Sequence, residues 1–198
     1  GAAVRDLVSD AVKRQLVSDV PLCVLLSGGL DSSAITAIAA DHYRGEGKAP
    51  LRTFSVDYVD NEKYFRTNEF QPNPDAPWVK IVSDAFQTKH YSFLIDTPQL
   101  ADSLFPAVLG RDLPGMTDVD SSLYLFSREI KKGATVALSG EGADEVFGGY
   151  PWFYRRQSGT LETFPWMRGT EERFQLYSPE LLKLIRPQEY LAERFREA

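Results

Sequence analysis

One arrangement constrains this chain more than any other. A short apolar run, a glycine break and a helix-patterned segment follow one another, and the series recurs. Leu22-Cys23-Val24-Leu25-Leu26 is continuously apolar, as suits a strand buried on both faces. Ser27-Gly28-Gly29 breaks it, and Asp31 to Tyr43 then reads as a helix ended by Gly45 and Gly47. Strand, glycine turn and helix begin a βαβ unit. Further strands are expected over Leu51–Asp57, His90–Asp96 and Thr135–Ser139. Helices are expected over 2–18, Trp78–Gln87, Leu100–Leu109 and Val119–Lys132, the last with Gly133 as its C-cap. Residues 60–77, with Pro72, Pro74 and Pro77, read as irregular, and 110–117 as a loop. The pattern predicts an α/β fold: an open, mostly parallel sheet in the order 3-2-1-4 with helices on both faces. Residues 1–150 carry it. Residues 151–198 show no strand pattern, and Leu161, Phe164, Trp166, Phe174, Leu181, Leu182, Leu184 and Ile185 among charges predict a helical extension.

Composition narrows the function. The 198 residues carry a formal net charge of −6, which argues against a nucleic-acid surface built from Lys and Arg. No apolar stretch approaches the ~20 residues that span a bilayer, so no membrane is expected as partner. The N-terminal segment GAAVRDLVSDAVKRQ has no apolar signal core. Cys23 is the sole cysteine, which excludes an internal disulfide and a Cys-based zinc site. A reducing cytoplasm is the natural setting. Cys23 falls in a predicted buried strand and reads as structural.

Two glycine-rich turns carry the chemistry. In Ser27-Gly28-Gly29-Leu30-Asp31-Ser32-Ser33, the glycines let an anion approach closely, and Gly29 is expected to need a glycine-specific backbone. Ser32 and Ser33 add hydroxyls in the first helical turn, where unpaired N–H groups and the positive dipole end favour a phosphate. Asp31 has two readings. It starts the helix as an N-cap, or it binds Mg²⁺ that separates its charge from the phosphates. No Lys follows the glycines, so this is not a GxxxxGK[ST] loop, and it is not a GxGxxG fingerprint. The second turn, Leu138-Ser139-Gly140-Glu141-Gly142-Ala143-Asp144-Glu145-Val146-Phe147-Gly148-Gly149-Tyr150, follows the fourth strand, and alone it also reads as a solvated acidic turn. In an open α/β sheet, ligands bind beyond the carboxyl ends of the strands where their order reverses. With the order 3-2-1-4, that point lies between strands one and four, which these turns leave. Asp31 and Asp144 are then candidates to hold one Mg²⁺, with nucleotide phosphates between the turns.

These motifs resemble a known family. SGGLDSS is similar to the pyrophosphate-binding loop of the ATP-pyrophosphatase superfamily. LSGEGADEVFGGY is more specific and resembles the synthetase domain of glutamine-hydrolysing asparagine synthetases, over roughly residues 4–156. The resemblance implies an ATP-pyrophosphatase-type domain over 1–150 and part of a synthetase helical region over 151–198. It implies ATP and Mg²⁺ as cofactors, aspartate and ammonia as substrates, and a β-aspartyl-AMP intermediate. Ser27, Gly28, Gly29, Asp31, Ser32 and Ser33 would cradle pyrophosphate. Asp31 and Asp144 would bind Mg²⁺. Leu25, Val56, Ser139 and Gly140 would line the adenosine pocket, and Glu141 would serve the reacting carboxylate and ammonia. Family members carry an N-terminal glutaminase domain with a leading cysteine and form homo-oligomers. This chain starts with Gly1 and shows no RVPFLD-like segment, so it is expected to be a fragment, inactive by itself. A β-lactam synthetase-like ligase and a non-catalytic ATP-binding module are the competing readings.

Other residues read as structural. His42 and His90 stand alone. Thr117 with Asp120 resembles a capping box, or the loop there borders the aspartate pocket. Asp57 ends strand two as a ribose or solvent group. Tyr150-Pro151-Trp152-Phe153-Tyr154 reads as core or interdomain contact.

Overall fold

The computed structural model describes residues 1–68, 71–113, 115–154, 163–167 and 170–198. The chain divides into two units, Gly1–Glu141 and Gly142–Ala198.

The first unit is built on four strands: β1 (Leu22–Leu25), β2 (Arg52–Tyr58), β3 (Lys89–Ile95) and β4 (Val136–Leu138). Their order is β3-β2-β1-β4 and every pairing is parallel, as the alternating pattern predicted. The register aligns Val24 with both Thr53 of β2 and Leu138 of β4. Helix α1 (Ala2–Gln15) precedes β1, and the connections are α2 (Leu30–Gly45), a single turn α3 (Asn61–Tyr64), α4 (Ala76–Phe86), α5 (Thr97–Arg111) and α6 (Thr117–Ile130).

Apolar side chains divide between the two sheet faces, as pleating requires. On one face Leu22 and Val24 join Val12 of α1, its C-cap Leu16, Ala39 and Ala40 of α2, and Leu51. On the other, Cys23 and Phe54 pack with Phe126 and Ile130 of α6 and with Ala134. Cys23 is fully buried, and burial pushes its thiol up to about 11, so it is an inert packing group. Between β2 and β3, His90 bonds Thr53 Oγ1 at 2.9 Å through Nδ1 and Ser55 Oγ at 3.0 Å through Nε2. Burial lowers the pKa of that imidazole.

Three details correct the sequence reading. Gly133 does not cap α6: the C-cap is Lys131 in a right-handed conformation, and the left-handed glycines among the described residues are Gly28, Gly47, Gly142 and Gly148. A side chain at Gly133 would instead meet Phe54 and Arg52. Helix α5 begins three residues early because Asp96 and Gln99 close a capping box. The N-cap of α6 is Met116, and Asp120 pairs with Arg111 at 2.7 Å, so no capping box is built on Asp120. The Thr117 side chain and the helical reading at Leu161 lie outside the described residues.

The second unit contains α7 (Ala143–Phe147), α8 (Pro151–Tyr154), a 3-10 turn (Pro165–Met167), α9 (Thr170–Phe174), α10 (Pro179–Ile185) and α11 (Pro187–Glu197), with no strand among its described residues. Aromatic stacking organises it. Tyr150 and Trp152 stack at 4.5 Å, Phe164 and Trp166 at 5.0 Å, and Phe195 meets Phe164 edge-on at 5.3 Å.

Candidate active site

The first turn leaves β1 at Ser27 and enters α2 at Leu30. Its shape is held by its own hydroxyls. Ser32 Oγ accepts from Ser27 N at 3.3 Å, lies 3.0 Å from Ser27 Oγ, and donates to Gly29 O at 3.2 Å. Ser32 is buried, so its hydroxyl faces the turn. The first helical amide that finds a carbonyl partner in the helix is Ser33 N, on Gly29 O at 3.0 Å. The amides of Leu30, Asp31 and Ser32 precede it and are the orphan donors of a helix start. They point where the positive dipole end collects anions.

The glycine-specific position is Gly28, at φ +83°. Gly29 is the N-cap, at φ −67° and ψ 167°, extended backbone that any residue adopts. The expectation that Gly29 holds the special conformation is therefore wrong by one residue. The physical reason lies across the fold. A Cβ at Gly28 would stand 2.7 Å from Trp78 Cβ, 2.9 Å from Val79 N and 3.1 Å from Asp75 O. The N-terminus of α4 packs directly onto the turn. Gly29 also removes the N-cap reading of Asp31, which sits inside the first turn of α2, half-buried.

The second turn leaves β4, which pairs β1 through Leu22–Val136, Cys23–Ala137 and Val24–Leu138. It comes up against the first. A Cβ on Gly140 would lie 3.1 Å from Asp31 Cβ and 3.3 Å from Ser32 N. Glycine at 140 thus keeps space beside the amides of α2. Ser139 Oγ accepts from Glu141 N at 3.2 Å, and Glu141 is exposed at the end of the first unit. Leu25 and Val56 are half-buried and pack on the Cys23–Phe54 cluster, on one sheet face. Ser33 is half-buried on α2. The structure thus brings Ser27, Gly28, Asp31, Ser32 and Gly140 together, with Leu25 and Val56 on the neighbouring strands.

Asp144 belongs to the second unit. It lies in α7, whose N-cap Gly142 has φ +86°, and a side chain at Gly149 would run into its carboxylate. Among the described residues no three His, Cys, Asp or Glu side chains gather as a metal cluster.

Sequence reasoning missed the α4 N-terminus. Asp75 supplies a carbonyl against Gly28, and burial together with the nearby Asp57 raises the pKa of its carboxyl. The signal was present as Pro74-Asp75-Ala76-Pro77, a helix start with Pro in the first turn, inside a segment read as irregular. Asp57 Oδ1 accepts from Tyr58 N at 2.8 Å and Asn61 Nδ2 at 2.7 Å, and so orders the turn after β2.

A parallel sheet with its order reversing between β1 and β4, and two glycine turns touching at that point, is an open α/β domain whose ligand crevice lies at its switch point. Within that class, the chain matches the family model described as asparagine synthase over residues 3–198, and it belongs to that family. It is 57% identical to asparagine synthetase [glutamine-hydrolyzing] 3 of Bacillus subtilis over 99% of this chain and 32% of that enzyme. It is 34% identical to asparagine synthetase [glutamine-hydrolyzing] of Brassica oleracea over 77% of this chain and 25% of that protein. It is 31% identical to a putative asparagine synthetase [glutamine-hydrolyzing] 2 of Methanocaldococcus jannaschii over 98% of this chain and 38% of that protein. The chain thus spans well under half the length of these relatives. Among solved structures, NAD+ synthetase from Burkholderia pseudomallei aligns with TM-score 0.39 and 16% identity, over 81% of this chain and 58% of that one. No helix among the described residues is long and apolar enough to cross a membrane.

Proposed function

We propose that this chain is the nucleotide-binding part of a cytoplasmic ligase that makes asparagine from aspartate. One observation carries the reading: the Gly140 turn abuts Asp31 and Ser32 at the N-terminus of α2, at the carboxyl ends of β1 and β4. In this reading ATP is a substrate. Its β- and γ-phosphates lie against the amides of Leu30, Asp31 and Ser32, with Ser27, Gly28, Gly29 and Ser33 around them. Leu25, Val56, Ser139 and Gly140 line the adenosine.

The side-chain carboxylate oxygen of aspartate attacks the α-phosphorus. The bond from that phosphorus to the bridging oxygen breaks, and pyrophosphate leaves as β-aspartyl-AMP forms. Ammonia nitrogen then attacks the acyl carbon, AMP leaves, and a proton is lost from nitrogen. Glu141 takes or positions that proton. Carboxylate oxygens suit Mg²⁺, which often binds through one or two carboxylates plus substrate phosphates. Asp31 and Asp144 are the residues proposed to hold it, and the ion would neutralise charge on the leaving pyrophosphate. Ammonia comes from glutamine through a glutaminase domain of the parent protein, which assembles as a homo-oligomer.

Aspartate labelled with ¹⁸O in its side-chain carboxylate tests the reading in the full-length enzyme. The expected result is one ¹⁸O in AMP for each asparagine formed. Release of ADP, with the label in inorganic phosphate, would overturn it.

A further inference from the structure

The sheet ends on one side at β4, of three residues, and on the other at β3, of seven. Exposed edges offer unpaired backbone groups to another strand, and proteins blunt them by shortness, proline, a bulge or charge. β4 is short, whereas β3 has no proline or glycine and carries its one Lys at its first residue. Hydrogen-bond parity identifies the groups left over. Lys89 N donates to Leu51 O at 2.8 Å, and Val59 N donates to Ile95 O at 3.0 Å. Alternate residues of a parallel ladder bond the same neighbour, so Lys89, Tyr91, Phe93 and Ile95 turn their backbone groups to β2. His90, Ser92 and Leu94 turn theirs outward, and no backbone partner takes them among the described residues. The side chains alternate as well. Tyr91 stacks on Phe54 at 5.0 Å, and Phe93 packs on the same cluster. His90 bonds Thr53 and Ser55 on the other face, which Ser92 and Leu94 share. Ser92 is exposed, and Leu94 is 56% exposed.

We infer that β3 is a self-association edge: a second copy of this chain lays its own β3 antiparallel against it, across a two-fold axis at Ser92, and the two sheets become one. The edge is complementary to itself. Centred on Ser92, the outward groups of His90, Ser92 and Leu94 meet those of Leu94, Ser92 and His90 in the second copy. Every outward N–H and C=O of that stretch then finds a partner, as an isologous contact requires. Tyr91 comes opposite the second copy's Phe93 in the closer, non-hydrogen-bonded pairing, and the symmetry repeats this aromatic pair on the other side of the axis. The charges agree. His90 to Leu94 contains no Lys, Arg, Asp or Glu, so no such charge meets its own image near the axis. Each Lys89 falls beside the second copy's Ile95 and Asp96, so unlike charges share each end, and the two lysines stand about 20 Å apart along the strands. A single strand pair is a small contact and gives a weak dimer, with a Kd on the order of 100 μM. The inference does not rest on the nucleotide chemistry, since no residue assigned to that chemistry lies on β3.

Sedimentation and NMR solvent exchange on the full 198-residue chain, from about 10 μM to about 1 mM, test the inference. The mass should rise towards that of a dimer. Exchange of the His90, Ser92 and Leu94 amides should slow about fourfold over that range, following the monomer fraction, while the Tyr91 and Phe93 amides, already bonded to β2, should not respond. Ser92→Lys and Ser92→Glu each place like charges face to face on the axis and should weaken the dimer roughly tenfold or more. An equimolar mixture of the two variants should restore it. Ser92 is exposed, so both variants should fold, as circular dichroism verifies, and both should bind ATP like the parent in calorimetry. A monomer throughout, edge amides indifferent to concentration, a dimer that ignores both variants, or a mixture that recovers nothing would overturn the inference.

Discussion

Replacing Gly28 by Ala tests the architecture of the first turn most directly. The new Cβ would face backbone atoms, Val79 N at 2.9 Å and Asp75 O at 3.1 Å, besides Trp78 Cβ at 2.7 Å. Two of these three belong to main chain, so no side-chain rotation relieves them. Two costs combine. A left-handed conformation costs an L-residue about 1–2 kcal/mol. Overpacking costs typically about 1–3 kcal/mol, as α4 shifts to make room. The sum, about 2–5 kcal/mol, is a large part of the ~5–15 kcal/mol that holds a domain folded. Gly29→Ala is the internal control. At φ −67° with only Ser27 Oγ at 3.5 Å, it should stay within about 0.5 kcal/mol of the parent. Urea titration of the three proteins, followed by circular dichroism, reads the difference. Gly28→Ala is expected to lower the midpoint clearly and Gly29→Ala to leave it nearly in place. Equal midpoints for all three, or a larger loss at Gly29, would refute the argument that α4 sets which glycine is required.

Other consequences can be measured on the same protein. Gly140→Val should leave the fold largely intact and weaken Mg²⁺–ATP binding at least tenfold by calorimetry, because its side chain would enter the space beside Asp31 and Ser32. Asp31→Asn and Asp144→Asn should each weaken ATP binding in the presence of Mg²⁺ and change it little in EDTA; unchanged affinity in both variants removes the shared metal. His90 gives a pH dependence. Its folded pKa lies below the ordinary 6.5, so the unfolded chain binds more protons in that window. Stability is complete above pH 6.5 and falls as the pH drops from there through the lowered folded value, and His90→Gln should flatten that slope in urea titrations.

The sheet was legible because its strands are continuous apolar runs. Leu22 to Leu26 could only be buried on both faces, and β1 is flanked by β2 and β4. The expected order 3-2-1-4 is the one observed. Finer features failed where they depend on distant residues. Nothing within Ser27-Gly28-Gly29 distinguishes the glycines; Trp78 and Val79 do, some fifty residues away in the sequence. Gly133 looked like a C-cap by position, yet its backbone stays out of the left-handed region. The capping box of α5 is readable in Asp96-Thr97-Pro98-Gln99, but Asp96 also closes the strand pattern that precedes it.

The hydroxyl arrangement of the first turn bears on how it would hold a phosphate. The sequence suggests that Ser32 donates its hydroxyl outward, but that oxygen is engaged by Ser27 N, Ser27 Oγ and Gly29 O. What Ser32 offers is rigidity and its own N–H. Anion binding at the turn then rests on backbone amides and on a dipole end equivalent to about half a positive charge. That cannot balance a triphosphate, and neither glycine-rich motif contains Lys or Arg. Asp31, inside the same helical turn, adds a negative charge and worsens the mismatch unless a cation is present. An acidic side chain there makes electrostatic sense when the nucleotide arrives as its Mg²⁺ complex. Loss of the carboxylate should therefore matter with Mg²⁺ and should not matter without it. A purely structural aspartate would show no such dependence on the metal.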